Sequence, residues 1–232
     1  MLKLSIIIPA YNEEKTIKKI IDRVKKIQLK NISKEIIIVD DFSNDNTRTI
    51  LKKIKEKSIN ILYHGKNMGK GAAIRTGLQN STGDIILIQD ADLEYDPNDY
   101  SKLLNPIINN KANVVYGSRV NAIRKNIKKM YKLHYIGNLF LTSMTNLLYG
   151  VKITDMETCY KVFRREVIKH INIRANRFEF EPEITAKILK KGYKIFEVPI
   201  SFAGRKFNEG KKITWKDGLK AAYYLLKYRF FD

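Results

Sequence analysis

The sequence predicts an α/β fold with a mostly parallel central sheet flanked by helices, and three observations carry that expectation. Short, continuous apolar runs recur along the first half of the chain, as they do in strands buried on both faces. Segments with apolar residues at helical spacing alternate with these runs, the pattern of successive βαβ units. Four polar or turn-forming clusters, Pro9-Ala10-Tyr11, Asp40-Asp41, Asp90-Ala91-Asp92 and Gly117-Ser118-Arg119, follow the ends of the runs. Ligands of such sheets bind beyond the carboxyl ends of the strands.

The elements follow in order. Residues 4–8 are an apolar run closed by Pro9, a buried strand. Residues 13–27 form a helix with Ile17, Ile20, Ile21, Val24 and Ile27 on one face. Residues 35–39 are a second strand, ending at Asp40-Asp41. Residues 45–54 are helical, with Asn44 or Asp45 as N-cap. Residues 59–63 are a third strand, and 69–78 open on glycines before turning helical. Residues 85–88 are a fourth strand, 97–108 a helix with proline in its first turn, and 114–116 another strand. After Arg119 the character changes. Residues 124–132 are basic, and 131–149 form an apolar-rich helix carrying Ile136, Leu139, Phe140, Met144, Leu147 and Leu148. A helix over 181–189, a strand over 195–199 and an aromatic, basic helix over 215–231 complete the chain. With no internal repeat, low-complexity tract or linker, residues 1–232 are expected to form one domain.

Composition narrows the function. Net charge is +20, from 44 Lys and Arg against 24 Asp and Glu, which favours an anionic partner. The chain is also rich in Lys, Ile and Asn together, so compositional drift is an equal alternative source of that excess. Cys159 is the sole cysteine, so no intrachain disulfide forms and a reducing compartment is expected. His64, His134 and His170 are scattered without zinc spacing. The opening apolar run is too short for a signal peptide, and nothing approaches the roughly 18 apolar residues of a membrane span.

Asp90-Ala91-Asp92 carries the sharpest chemistry. The two carboxylates stand one residue apart where a buried strand frays into a loop, so both can converge on one point. Hard oxygen ligands beside an open crevice suit Mg²⁺ or Mn²⁺ holding a substrate's phosphates, with water completing the shell. A D-x-D alone reads equally as an Asx turn or a helix cap; the other strand-end clusters tip the balance. Gly69-Lys70-Gly71 lacks Walker spacing and reads as a tight strand-to-helix turn. Asp41 could share the base pocket, but reads first as a cap or brace for its own turn.

Five motifs in order, Ile7-Ile8-Pro9-Ala10-Tyr11-Asn12-Glu13, Ile38-Val39-Asp40-Asp41, Asn67-Met68-Gly69-Lys70-Gly71, Asp90-Ala91-Asp92 and Gly117-Ser118-Arg119, resemble family 2 glycosyltransferases with the GT-A fold. The likeness is greatest to the dolichol-phosphate mannose or glucose synthase branch. It implies a nucleotide-sugar-binding half over 1–120 and an acceptor-side half with amphipathic helices over 121–232. It also assigns residues. Pro9, Tyr11 and Glu13 would line the base and ribose pocket, continued by Ile38 and by Asp40 as a hydrogen-bond acceptor for the base. Asp90, Ala91 and Asp92 would handle ribose, diphosphate and metal. Glu94 stands where relatives often have a glutamine ligand. Arg119 would reach the donor phosphates or the acceptor, and Arg205 and Lys211 resemble a late basic loop closing over the diphosphate. Asp92, Arg119, Arg205 and Asp155 are the implied catalytic set. Phe42 departs from the family, where glycine is common, so its turn must be built differently. The segment Thr154-Asp155-Met156-Glu157-Thr158-Cys159-Tyr160-Lys161 only partly matches the mannose synthases, and Arg177-Phe178-Glu179-Phe180-Glu181-Pro182-Glu183 is rich in carboxylates without obvious counterions.

The expected activity is therefore inverting, metal-dependent transfer of a single hexose from a GDP- or UDP-linked donor to a polyprenyl or dolichyl phosphate. The processive-synthase Gln/Arg-x-x-Arg-Trp signature is absent around Trp215. A hydroxyl acceptor on a cell-envelope glycan or glycoprotein is the alternative. It would need a general base, for which Asp155 and Glu157 are the candidates. An ionised phosphate needs cations instead, and Arg119, Arg124, Lys128 and Lys129 could supply them. Apolar helices flanked by positive charge suit peripheral contact with an anionic membrane, placing the protein in the cytoplasm on the inner membrane face. A nucleotidyltransferase and, prompted by the +20 charge, a nucleic-acid-binding module are more remote rivals. No nucleic-acid partner is expected, because carboxylates at the strand ends would repel phosphate in the absence of metal.

Overall fold

The computed structural model describes residues 1–125, 132–204 and 215–231. Its strands are β1 (Leu2–Ala10), β2 (Ile32–Asp40), β3 (Ile59–Tyr63), β4 (Ile85–Ile88), β5 (Val114–Ser118), β6 (Lys161–Arg164) and β7 (Ile195–Pro199). They form one seven-stranded sheet in the order β3-β2-β1-β4-β6-β5-β7. All pairings are parallel except those of β6, which runs antiparallel to both β4 and β5. The helices are α1 (Ile17–Lys26), α2 (Thr47–Lys52), α3 (Lys70–Gln79), α4 (Tyr100–Ile108), α5 (Val120–Lys125), α6 (Lys132–Tyr149), α7 (Arg165–Lys169), α8 (Phe180–Lys190) and α9 (Trp215–Phe230).

Strand alternation divides the core between the two sheet faces. On β1, Ile6 and Ile8 join Ile20, Val24, Leu103 and Leu104, whereas Ile7 joins Ile74, Phe163, Phe180 and Ile184. Each face thus gains its own helical layer. A smaller cluster of Leu141, Ile153, Met156, Ala221 and Leu225 binds α6 to α9, with Ile195 of β7 packed against it. Among the described residues, no helix is long and apolar enough to cross a membrane.

The expected α/β architecture is present, and the strands at 59–63, 85–88 and 195–199 have the expected bounds. The first helix starts at Ile17 rather than at residue 13, because Glu13 is used in a turn. Its amide donates to Thr47 Oγ1 and its carboxylate accepts from Thr16 Oγ1. The strand β6 and the short helix α7 were not expected. Placing β6 between β4 and β5 delivers the chain ahead of Lys161 to the rim where those two parallel strands end.

Candidate active site

The ends of β1, β4 and β5 open into a cavity of about 830 Å³. Pro9, Ala10, Tyr11 and Glu13 arrive from β1, Asp90, Ala91, Asp92 and Glu94 from β4, and Arg119 from β5. The β4 end is braced from below. Fully buried Gln89 accepts from the hydroxyls of Tyr100 (2.8 Å) and Tyr160 (2.7 Å), while its Nε2 donates to the Asp90 carbonyl. The Glu94 amide donates to Asp92 Oδ1 at 3.0 Å, closing a turn over Leu93, which adopts a left-handed φ of 66°. The Asx-turn and cavity-facing readings of Asp92 therefore hold together. The Glu94 carbonyl accepts from the Ala203 amide, so the chain leading to residue 205 passes beside this turn.

Lys70 is the principal residue that the sequence reading undervalued. It opens α3 and lies half-buried in the cavity wall, with Nζ 2.9 Å from Asp90 Oδ1, 3.0 Å from Glu181 Oε1 and 3.2 Å from Cys159 Sγ. Burial disfavours its charge, but Asp90, reinforced by Glu181, outweighs burial and raises its pKa well above the ordinary value. The glycines on either side make this placement possible. A Cβ on Gly69 would lie 2.4 Å from the Asn176 carbonyl oxygen, and one on Gly71 2.6 Å from that of Ala175. The loop before α8 therefore packs directly on the start of α3 and brings Glu181 to Lys70. The Gly-Lys-Gly segment is a turn, as expected, and it also supplies a cation to the site.

The carboxylates before and within α8 do have partners. Glu179 accepts from the amides of Asn176 and Arg177, and Glu183 from those of Arg174 and Ala175 and from Lys187 Nζ. Lys70 serves Glu181.

Arg119 and Asp155 form a buried, two-pronged ion pair. Nε and Nη2 of Arg119 donate to the two Asp155 oxygens at 2.8 and 2.7 Å, and the Arg119 amide and Asn138 Nδ2 donate to the same carboxylate. Burial alone would raise the Asp155 pKa; the Arg119 guanidinium outweighs it and holds the carboxyl below its ordinary value. Arg119 also lies over the Phe202 ring, 5.4 Å from its centroid. Asp155 is absent from the cavity lining, whereas Glu157 belongs to it. Burial, followed by repulsion from Glu181, pushes Glu157 up to about 7. The peptide carbonyls on either side of Glu157, those of Met156 and Thr158, both accept from the buried ammonium of Lys161.

The remaining expected residues divide. Ile38 is fully buried in the core and Asp40 is fully buried below the rim; neither belongs to the cavity lining. Asp40 Oδ2 pairs with Arg48 Nε at 2.5 Å, and its Oδ1 has no hydrogen-bond partner among the described residues. Arg48 lies between the rings of Phe42 and Tyr63. Phe42 itself takes a φ of 63°, so the turn keeps the left-handed conformation that glycine would favour. Asp41 lines the cavity and braces the turn between β3 and α3 rather than its own, accepting from the amides of Met68 and Gly69 and contacting His64 Nδ1. Arg205 and Lys211, with Lys128 and Lys129, lie outside the described residues.

Among the described residues, no cluster of three or more His, Cys, Asp or Glu side chains forms a ready metal cage. Asp90, Asp92 and Glu94 nevertheless share the cavity wall. A Mg²⁺-type ion needs only one or two carboxylates besides substrate phosphate and water, so this donor set fits such an ion.

Comparison with known proteins agrees with this geometry. The description Glycosyl transferase family 2 matches residues 5–171. A UDP-N-acetylglucosamine–dolichyl-phosphate N-acetylglucosaminyltransferase of Methanococcus voltae is 34% identical, over 95% of this chain and 94% of its own. A dolichyl-phosphate beta-glucosyltransferase of Trichomonas vaginalis is 29% identical, over 98% of this chain and 73% of its own. Among solved structures, glucosyl-3-phosphoglycerate synthase from Mycobacterium tuberculosis, in complex with Mn²⁺, UDP and phosphoglyceric acid, superimposes with a TM-score of 0.75. It is 18% identical and covers 100% of this chain and 80% of its own, a likeness of fold. With its GT-A sheet, its acidic strand ends and this match across most of its length, the chain belongs to glycosyltransferase family 2.

Proposed function

We propose that the protein transfers one hexose, with inversion, from a GDP- or UDP-linked donor to a polyprenyl or dolichyl phosphate at a membrane surface. One observation carries this reading: the cavity that holds Asp90, Asp92 and Arg119 is also walled by Ile136 and Phe140 of α6 and Leu219 of α9. Those three side chains are 60%, 62% and 63% exposed. A charged rim joined to an open apolar wall suits an acceptor with a phosphate head and a hydrocarbon tail. The relatives named for dolichyl-phosphate transfer support the same acceptor class. On this reading, α6 and α9 rest on the inner membrane face, apolar side chains toward lipid.

The chain's residues would act as follows. Pro9, Tyr11 and Glu13 would hold the nucleoside at the end of β1. Asp90 and Asp92, with Glu94 beside them, would hold Mg²⁺ or Mn²⁺. When bound, the ion would offset the charge that grows on the departing diphosphate. Lys70 would fix the orientation of Asp90. Arg119, positioned by Asp155, would attract the acceptor phosphate, and Arg205 and Lys211 would complete the cationic side. A phosphate nucleophile is already ionised, so no base is required. The hydroxyl-acceptor alternative would need a base at Asp155, yet both of its oxygens are engaged by Arg119 and Asn138. The reading of the chain as one working unit is supported by the sheet, where β6 from the second half lies between β4 and β5.

Incubation with Mn²⁺, polyprenyl phosphate and radiolabelled nucleotide sugars tests the proposal. Label should enter the lipid from one donor and release a nucleoside diphosphate. No labelled lipid from any donor would overturn the acceptor assignment, and release of pyrophosphate would point to nucleotidyl transfer.

A further inference from the structure

Among the described residues, two carboxylate oxygens at the cavity wall are buried without a hydrogen-bond partner, Glu157 Oε1 and Glu181 Oε2. A buried acceptor left unpaired costs about 1–3 kcal/mol, which a ligand bringing the right donor would recover. Both groups are held in place. Lys70 anchors the other oxygen of Glu181 at 3.0 Å. Lys161 clamps the peptide groups flanking Glu157, and Thr158 Oγ1 ties the same segment to the Gly117 carbonyl.

The chemistry of the site limits what can bind there. A phosphate would be repelled by two carboxylates. Cations are already supplied by Lys70, Lys161 and Arg119. A neutral polyol with neighbouring hydroxyls could donate one hydrogen bond to each oxygen. The only such group that a glycosyltransferase must place beside Asp90 and Asp92 is the sugar being moved. We infer that Glu157 and Glu181 form the subsite that reads the hydroxyls of the transferred sugar, with Glu157 as the specificity-determining residue. The inference rests on the nucleotide-sugar donor proposed above and is independent of the acceptor.

Glu157 is the more adaptable of the two, because Lys70 already claims one Glu181 oxygen. Near neutral pH it exchanges between acid and carboxylate. Glu181 on α8, Lys161 on β6, Arg119 after β5 and Asp155 in its own segment all act on it. A hydroxyl donor favours the carboxylate form, so sugar binding should strengthen as pH rises through this range.

Titration calorimetry on the full chain with Mn²⁺ separates sugar from nucleotide. The probes are UDP against UDP-glucose and UDP-N-acetylglucosamine, and GDP against GDP-mannose. For the nucleotide sugar that binds, Glu157→Gln should weaken affinity about tenfold while leaving the bare nucleotide within about twofold. Wild-type affinity for the nucleotide sugar should rise between about pH 6 and about pH 8, and the variant should lose that rise. Glu157→Asp, which keeps the charge but withdraws it, should change the ranking of the sugars. Equal losses for sugar nucleotide and bare nucleotide, no loss for either, or binding of UDP or GDP without any of the sugar nucleotides would overturn the inference. Melting curves establish that each variant is folded. If the lipid is not the acceptor, these affinities remain as stated while labelled lipid fails to form.

Discussion

The two walls of the cavity are built on different principles. On the sheet side the principal charged groups are held in place: Asp90 by Lys70 and Arg119 by Asp155 from elsewhere in the chain, and Asp92 by the neighbouring Glu94 amide. On the helix side Ile136, Phe140 and Leu219 stand exposed, and Leu147, Tyr223 and Phe230 continue the apolar surface outward. The first wall is pre-set, as suits a small polar donor whose phosphates must be placed accurately. The second is an open surface, as suits a long flexible chain that needs area more than register.

That contrast can be broken from either side. The largest effect should come from Arg119→Ala, which strands a buried Asp155 carboxylate. Loss of one partner of a buried pair costs about 3–5 kcal/mol, and urea denaturation would measure it. Stability within about 1 kcal/mol of wild type would show that the sheet wall is not locked as described. Next, Asp92→Asn should lower kcat/KM about a hundredfold or more, with the melting temperature nearly unchanged; retained activity would remove Asp92 from the chemistry. On the helix side, Phe140→Ser combined with Leu219→Ser should reduce transfer to polyprenyl phosphate in vesicles about tenfold. Donor affinity should hold within about twofold, and an equal fall in donor affinity would mean that the two walls are not separable. The smallest effect is a slope. Folded Glu157 keeps its proton up to about 7, whereas its ordinary value is 4.5. Across that window the unfolded chain binds fewer protons, so stability should decline as pH rises and level off above it. Glu157→Gln should abolish that contribution in denaturation curves recorded across the same range.

Much of the sheet wall was legible because its determinants are local. Continuous apolar runs marked β3, β4 and β7 at their observed bounds, and the polar clusters marked the rim. The strand β6 was hidden because only Val162 and Phe163 separate Lys161 from Arg164. A lysine reads as exposed, yet Lys161 is fully buried, its ammonium satisfied by two peptide carbonyls and set over the Tyr116 ring at 4.6 Å. The Lys70–Glu181 contact was hidden for a different reason, since it depends on a loop docking from far along the chain. The glycines at 69 and 71 were its only local sign. Ile38 and Asp40 differ again, being fully buried and outside the cavity lining. Strand alternation and the turn at Phe42 place them beneath the rim, where the motif had suggested contact with a ligand.

The reversed strand has a consequence for how such a protein can diverge. Parallel strands offer the rim only their exits, and here those exits carry the donor side. Because β6 runs the other way, it offers its entrance, the stretch from Thr154 to Tyr160. Within that stretch Tyr160 braces Gln89 and Asp155 holds Arg119, so room to retune selectivity falls to positions such as Glu157 that do not brace the end of β4. One inverted segment thereby gives the molecule a second adjustable input to a single reaction centre, tied to the first through Tyr160 and Cys159.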